Sequence, residues 1–422
     1  MNVIIVGAGP TGLFLAHRLL ARNPSYKVKI YESNKNPIDL EYCDSKEFGL
    51  GLGARIQNWF KSIDGLEEQL VSQGINFPSG LILIPRRQLC ALLLRSLLTL
   101  YGERESNENS RLWINFNTPV VNVDLTHREI IIDGDTGSEK VPYDLLIGAD
   151  GIYSTIRSAM MVSKPDKNNF QQQQRPHVWK VLQIPVQPEL QQHPSRIIRL
   201  QKHSPQFGLI FGALLPQKES SFNALIFWQP VGSSDTNNPC GVSTVEELQQ
   251  LLQQMSPKNL PAFKLDSNEA ETFLAAQPGN EYWSQCSCYH DLEGSAVLIG
   301  DAAHGMFSIL GQGCTAAVAD AVALDSLLQQ HSDRLSIVLP EFSRQQVKEG
   351  HAASDLNLIA LIVYHRWLGL LYKVITLIWV IVLRQPSIFA RVNQVDTNYV
   401  QVLHENRLWV WLAKKLLLSN PT

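Results

Sequence analysis

The chain has 422 residues, 45% of them hydrophobic, and a formal net charge of −3. That length exceeds what one compact core usually holds, so two domains with an extension are expected. The balanced charge excludes a nucleic-acid surface built on basic excess, and the apolar content excludes a disordered chain.

Read in chain order, residues 2–6, NVIIV, form a β-branched run that stops at glycine, the pattern of a buried parallel strand. LFLAHRLLAR (13–22) then has helical apolar spacing, and YKVKIYE (26–32) is the next strand. This is a βαβ unit. REIIID (128–133), VPYDLLIGAD (141–150) and SAVLIGD (295–301) predict further strands. Between the last two, the Gln-rich NNFQQQQRP (168–176) reads as a linker or exposed turn. WKVLQIPV, RIIRLQK, FGLIFGALL and FNALIFWQ predict an antiparallel sheet. TVEELQQLLQQM (244–255) is an amphipathic helix opened by Thr244 as cap. From Leu339 onward the pattern is helical and increasingly apolar. Strands from both ends of the chain feeding one sheet would explain the interruption.

The start, MNVIIVGAGPTG, lacks the basic region and cleavage site of a secretory signal, so a cytoplasmic location is expected. The scattered Cys43, Cys90, Cys240, Cys286, Cys288 and Cys314 argue for a reducing compartment rather than a disulfide framework. Neither they nor the eleven histidines show metal-ligand spacing, and no metal is expected.

Three motifs carry chemistry. GAGPTG places Gly7, Gly9 and Gly12 in G-x-G-x-x-G spacing between a strand and a helix, with Glu32 ending the next strand. Gly7 permits the tight turn, Gly9 lets the backbone approach a pyrophosphate, and Gly12 allows close helix packing. The phosphates would sit at the helix N-terminus, beside Pro10 and Thr11, and Glu32 would accept the ribose hydroxyls. By contrast, GLGLGA (49–54) reads as an ordinary turn or strand. In GADGIYSTIR (148–157), Asp150 either meets a ligand or caps a helix. In GDAAHGMFSILGQGC (300–314), Asp301 ends a strand, and Gly311, Gln312 and Gly313 precede a good helix.

In this order, the three motifs resemble the fingerprints of the group A FAD-dependent monooxygenases, the para-hydroxybenzoate hydroxylase-like fold. RRQL (86–89) is similar to the family's R-x-x-L element, with Arg86 in the flavin-contacting place. GLEEQLVSQGI (65–75) and EFSRQQVKEGHAASDL (341–356) more narrowly resemble the kynurenine 3-monooxygenase family. The resemblance implies an α/β fold: a Rossmann-like FAD-binding domain (1–70, 85–165, 286–340), an inserted antiparallel substrate domain (71–84, 166–285), and a helical, apolar C-terminal region (341–422).

It also implies FAD, NAD(P)H as transient co-substrate, and O2, with oxygen passed from a flavin C4a-hydroperoxide to a small-molecule substrate. Gly7, Gly9, Pro10, Thr11, Gly12 and Glu32 would hold the ADP half. Asp301 would contact the ribityl–pyrophosphate region. Gly311, Gln312 and Gly313 would direct N–H groups at the flavin's pyrimidine edge, stabilising negative charge there. Arg55, Arg86 and Asp150 complete the cofactor set, and Arg157 supports FAD and the nicotinamide. No catalytic side chain stands out, and His304 is expected to be structural. Phe227, Phe307, Ser308, Ile309 and Leu310 are expected to line the substrate pocket.

The sequence departs from the family pattern in two places. The family has proline where this chain has Ser308. The Arg and Tyr by which kynurenine hydroxylases hold their substrate, shortly before R-x-x-L, have no counterpart in INFPSGLILIP (75–85), and their Asn falls near Ala360. A buried substrate carboxylate would then be unpaired, at a cost of several kcal/mol or more. An apolar aromatic or prenyl-like substrate is therefore expected rather than kynurenine. An isoprenoid epoxidase or cyclase and a non-catalytic FAD-binding protein stand as alternatives. LGLLYKVITLIWVIVL (368–383) and RLWVWLAKKLLL (407–418) read either as core helices or as a peripheral membrane contact, the latter suited by Trp409, Trp411 and Lys414–Lys415.

Overall fold

The computed structural model describes residues 1–39, 49–102, 110–134, 137–163, 169–185, 197–218, 221–230, 237–258, 260, 262, 264–362 and 366–417. Cys43 and the side chain at Ala360 lie outside the described residues.

The first half contains β1 (Asn2–Val6), α1 (Pro10–Arg22), β2 (Lys27–Tyr31), β3 (Gly49–Leu52), α2 (Ala54–Phe60), α3 (Leu66–Gln73), β4 (Ile75–Asn76), β5 (Ile82–Pro85) and α4 (Arg86–Tyr101). There follow β6 (Leu112–Asn115), β7 (Val120–Asp124), β8 (Glu129–Gly134), β9 (Gly137–Pro142), β10 (Leu145–Gly148) and α5 (Thr155–Ser163). The middle comprises β11 (Phe170–Ile184), β12 (Ile198–Ser204), β13 (Gly208–Pro216), β14 (Phe222–Trp228), α6 (Val245–Met255), α7 (Ser267–Ala275) and β15 (Gly279–Cys286). The last part holds β16 (Ala296–Leu298), α8 (Asp301–His304), α9 (Gly313–Gln330), α10 (Leu335–Ile362), α11 (Arg366–Ile381), α12 (Ile388–Val392), α13 (Tyr399–Glu405) and α14 (Arg407–Leu417).

Five strands form a sheet in the order β16-β10-β1-β2-β6, with every pairing parallel. β1, β10 and β16 are nearly continuous buried apolar runs, whereas β2, KVKIY, alternates with Lys27 exposed. Strands from the start, middle and last third of the chain share this sheet, as the expected interruption requires. The chain steps outward from β1 to β2 and β6, then returns to β10 on the other side of β1. This reversal opens a crevice at the strands' carboxyl ends, where α/β sheets bind ligands.

The Gln-rich seam proves to be no linker. Residues 170–174 pair with Tyr282–Cys286 as the first part of the 15-residue strand β11. Its glutamines belong to a strand with partly exposed side chains, where polar residues cost little. The run 141–150 is likewise divided: Val141 and Pro142 end β9 in an antiparallel hairpin with β8, and only β10 enters the parallel sheet. REIIID therefore supplies the middle strand of a separate three-stranded sheet. GLGLGA supplies β3, which pairs with β5.

The second five-stranded sheet has the order β12-β13-β14-β11-β15, all antiparallel. One face packs on α6 and α7 through Leu248, Leu251, Leu252, Met255 and Phe273. Thr244 caps α6 in a reciprocal capping box with Glu247, a device that contributes about 1 kcal/mol. The other face, through Phe227 and Trp179, turns toward the crevice of the parallel sheet.

The C-terminal helices differ in how far they are buried. α10 is a core helix, with Ala352, Ala353, Leu356, Leu358 and Ile359 buried. Val410 and Ala413 bury one face of α14. α11 is different: its apolar side chains, including Trp367, Leu370, Leu377 and Ile381, are largely exposed. Tyr372 anchors it by an edge contact with Trp409, ring centres 5.0 Å apart. Among the described residues, no helix is long and apolar enough to cross a membrane.

Candidate functional site

The carboxyl ends of β1, β10 and β16 deliver the three motifs to one place. Gly7 has φ +106°, and a Cβ there would lie 2.3 Å from the Ala149 carbonyl oxygen. A Cβ on Gly12 would lie 2.1 Å from the Gly7 oxygen. Neither position can take a side chain without moving backbone. The Glu32 carboxylate accepts the N–H of Ala8 (2.7 Å) and that of Asn34 (2.8 Å), tying the end of β2 to the glycine loop.

Two helix N-termini face this crevice. α1 starts at Pro10 behind Gly9, and α9 starts at Gly313 behind Gln312; neither has a side-chain cap. Their unpaired N–H groups and dipoles favour an anion. Gly300 brings the two helices together, since a Cβ on it would lie 2.9 Å from Ala317 and 3.7 Å from the Thr11 hydroxyl. Arg86 reaches over the loop, with Nη2 3.5 Å from where a Cβ on Gly9 would be. Asp301 is open to the cavity but surrounded by protein on its other sides. That desolvation pushes its carboxyl above the usual range, against the pull of His304 and Arg86. Bare glycine backbone, uncapped helix ends, a cation and an acid form a fitting cradle for a dinucleotide diphosphate and its polyol.

Other residues of the sequence-derived set have different surroundings. Asp150 Oδ2 accepts the N–H groups of Thr155 (2.7 Å) and Ile156 (3.3 Å), so it caps α5, while Oδ1 is buried without a partner among the described residues. Arg157 donates to the carbonyls of Ala302 (3.0 Å) and Ile152 (2.6 Å), locking the second motif to the third. Arg55 packs against two aromatic rings. Its guanidinium lies over Trp59 (5.1 Å) and Tyr399 (4.8 Å), lining a second cavity of about 510 Å3 on the other face of α9. Gly311 has φ +63° with open space around it. The Gly311 N–H is donated to the Ser308 carbonyl at 2.9 Å, so of the three N–H groups expected to meet the flavin this one is already used, and the Gln312 side chain turns inward, accepting from the Tyr399 hydroxyl at 2.9 Å.

His304 is buried, with Nε2 2.6 Å from Asp320 Oδ2. Asp320 outweighs burial and holds the imidazole pKa above its ordinary value. Asp320 also accepts the Gly300 N–H at 2.8 Å, so the pair fixes the turn carrying Asp301.

Between the second sheet and residues 305–308 lies a cavity of about 230 Å3. Ile152, Trp179, Leu225, Phe227 and Met306 give it apolar walls, and Asp301 lies at one end. Phe227 and Ser308 line it as expected from the sequence. Phe307 and Leu310 are instead buried among the C-terminal helices, against Leu358 and Ile362 and against Ala352 and Leu356. Ile309 is half-buried and is not among the lining residues. The local 3-10 turn over Ser308–Leu310 produces this division, because successive side chains point in different directions.

The polar corner of this cavity was not foreseen. Glu281 on β15 lines it and accepts both the backbone N–H (3.1 Å) and the hydroxyl of Ser308. Its other oxygen pairs with Arg175 Nη1 at 2.9 Å, and both side chains are over nine-tenths buried. Arg175 falls at an irregularity in the β11–β15 register, between Gln174 and Val178. Asn357 on α10 was also missed. Its Oδ1 accepts the Leu310 N–H (3.2 Å) and its Nδ2 donates to Ala353 O (2.9 Å). Gly305 is clamped by Ser284, whose hydroxyl accepts its N–H at 2.8 Å.

Comparison with known proteins follows the same lines. The family description "FAD binding domain" matches residues 103–333, more than half of the chain. Kynurenine 3-monooxygenase of Sus scrofa is 29% identical over 371 residues, covering 85% of this chain and 75% of that protein. The enzyme of that name from Stenotrophomonas maltophilia is 25% identical over 355 residues, covering 79% and 72%. Among solved structures, the tetrameric form of 2-methyl-3-hydroxypyridine-5-carboxylic acid oxygenase shares the fold, with a TM-score of 0.64 at 17% identity over 84% of this chain and 89% of that one. The Diels-Alderase PyrE3 of pyrroindomycin biosynthesis does so with a TM-score of 0.62 at 18% identity, covering 98% and 79%. The glycine cradle thus has its expected context, and the chain belongs to the FAD-binding-domain family, among the group A flavin-dependent monooxygenases.

Proposed function

We propose that this chain hydroxylates a small aromatic substrate of low polarity, with FAD as bound cofactor and NAD(P)H and O2 as co-substrates. The observation that carries this reading is the mainly apolar cavity beside Asp301, at the end of the crevice that fits FAD. Its volume, about 230 Å3, is below the roughly 300–1,000 Å3 of pockets for drug-sized ligands, which favours a one-ring substrate. Bound FAD supplies oxygen activation; the protein holds it and shapes its field. In this reading Gly7, Gly9, Gly12 and Arg86 bind the diphosphate. Asp301 takes a polyol hydroxyl, and the Gln312 and Gly313 N–H groups face the ring's electron-rich edge. Trp179, Phe227 and Met306 hold the substrate and exclude water.

Kynurenine, named in the relatives, fits this cavity poorly. Its polar corner presents the Glu281 carboxylate in front of its Arg175 partner, so a substrate carboxylate there would meet acceptor oxygens rather than donors. The cavity is therefore not devoid of polar groups, but those it has oppose an anion.

The test is to purify the protein, record flavin absorbance, and measure NADPH and NADH oxidation against one-ring aromatics and kynurenine, with 18O2 incorporation into product. Label in a hydroxylated aromatic is the expected result. Bound flavin with no substrate-stimulated oxidation would overturn the reading, and kynurenine equalling the apolar aromatics would overturn its substrate class.

We further propose that α11, with the exposed Leu408 and Trp411 of α14, rests on a membrane surface. Flotation of the protein with anionic vesicles is expected, and replacing Leu370, Leu377 and Ile381 by serine should abolish it. Absence of flotation by the parent protein would refute this contact.

A further inference from the structure

We infer that the Glu281 carboxylate is the substrate-recognition group of the 230 Å3 cavity, accepting a hydrogen bond from a neutral N–H or O–H donor on the aromatic substrate. This rests on the hydroxylase reading above and adds to it the residue that recognises the ring's own N–H or O–H donor.

A carboxylate offers about four acceptor positions. On Glu281 three are used among the described residues, by the Ser308 N–H, the Ser308 hydroxyl and Arg175. The fourth is available on a residue that lines the cavity. Arg175 lies behind it, over the rings of Phe211 (5.2 Å) and Phe307 (5.5 Å), and is itself not a lining residue. The guanidinium therefore neutralises and orients the carboxylate without facing the substrate. An acceptor already paired with a cation favours a neutral donor over a second cation, and it offers a carboxylate no hydrogen to accept.

Two features separate this corner from ordinary packing. A buried ion pair is rarely the most stable filling of an apolar wall, since apolar residues of similar volume are often neutral or better there. The departure at Ser308 is also explained: proline, the family's residue at that position, has neither the N–H nor the hydroxyl that hold Glu281. Ser308 and Arg175 are positioning residues for Glu281.

The experiment uses the FAD-loaded protein and four probes, phenol, aniline, anisole and toluene. Dissociation constants come from flavin absorbance changes and from calorimetry, beside NADPH oxidation. The parent protein is expected to bind phenol and aniline about tenfold tighter than anisole and toluene, the worth of one hydrogen bond to a charged acceptor. Glu281→Gln should reduce that ratio to below about threefold while retaining anisole and toluene binding. Ser308→Ala should lower the ratio and Ser308→Thr restore it, which serves if Glu281→Gln loses flavin or fails to fold. Equal binding of all four probes by the parent overturns the inference but leaves the aromatic reading intact. A ratio unchanged in Glu281→Gln, or in Ser308→Ala where the former does not fold, does the same. Binding of none of the probes overturns both.

Discussion

Gly350 lies inside α10, where alanine would ordinarily add about 1 kcal/mol of helix stability. Here the opposite is expected. A Cβ at this position would lie 2.4 Å from the Tyr289 hydroxyl oxygen and 2.6 Å from His304 Cδ2. Comfortable carbon contacts are about 3.5–4.0 Å, so the helix or a ring must move by about 1 Å. Neither ring is free to do so: Tyr289 and His304 are 0% and 1% exposed, and His304 is held by Asp320. Overpacking of this kind costs about 1–3 kcal/mol. Net of helix propensity, Gly350→Ala should destabilise by up to about 2 kcal/mol. Because His304 and Asp320 fix the turn before Asp301, flavin content should fall as well. The companion change is Tyr289→Phe, which removes the nearest clashing atom, a buried hydroxyl without a partner. It should be neutral or stabilising alone and should recover part of the loss in the double variant. Thermal unfolding of the FAD-loaded proteins, with flavin-to-protein ratios, measures both effects. A Gly350→Ala protein as stable and as flavin-rich as its parent would refute this account of the helix contact.

Other outcomes follow from single residues. Gly12→Ala forces a methyl against the Gly7 carbonyl and should weaken flavin retention at least tenfold, read by flavin release on dilution. His17 is buried between α1 and α4, its Nε2 2.9 Å from Leu93 O, and burial pushes its pKa down to about 4 from 6.5. The unfolded chain then binds the proton first, so this stability is present above pH 6.5 and lost as pH falls toward about 4. The loss amounts to about 3 kcal/mol, and His17→Gln should flatten that part of the stability–pH curve. In the parent protein, a curve flat from pH 6.5 to 4 would contradict the assignment.

The sequence alone determined features written within short windows. The β1–α1–β2 unit, the glycine spacing of 7–12 and the Thr244 cap depend on residues a few positions apart, where strand period, helix period and turn sterics act directly. The convergence of the three motifs was also legible, because each ends a strand that can only join the same parallel sheet. Tertiary structure decided the rest. NNFQQQQRP looks like a linker until Tyr282–Cys286 pairs with it, for strand formation there depends on a partner over a hundred residues away. Arg55 carries no local mark of its place between Trp59 and Tyr399. Arg175 and Glu281 are 106 residues apart, and only the β11–β15 register, with its irregularity at Arg175, makes them a pair. Ser308 could be seen in sequence as a departure from the family. Its meaning came from the carboxylate opposite it, because a hydrogen bond is set by distance in space and sequence spacing has no bearing on it.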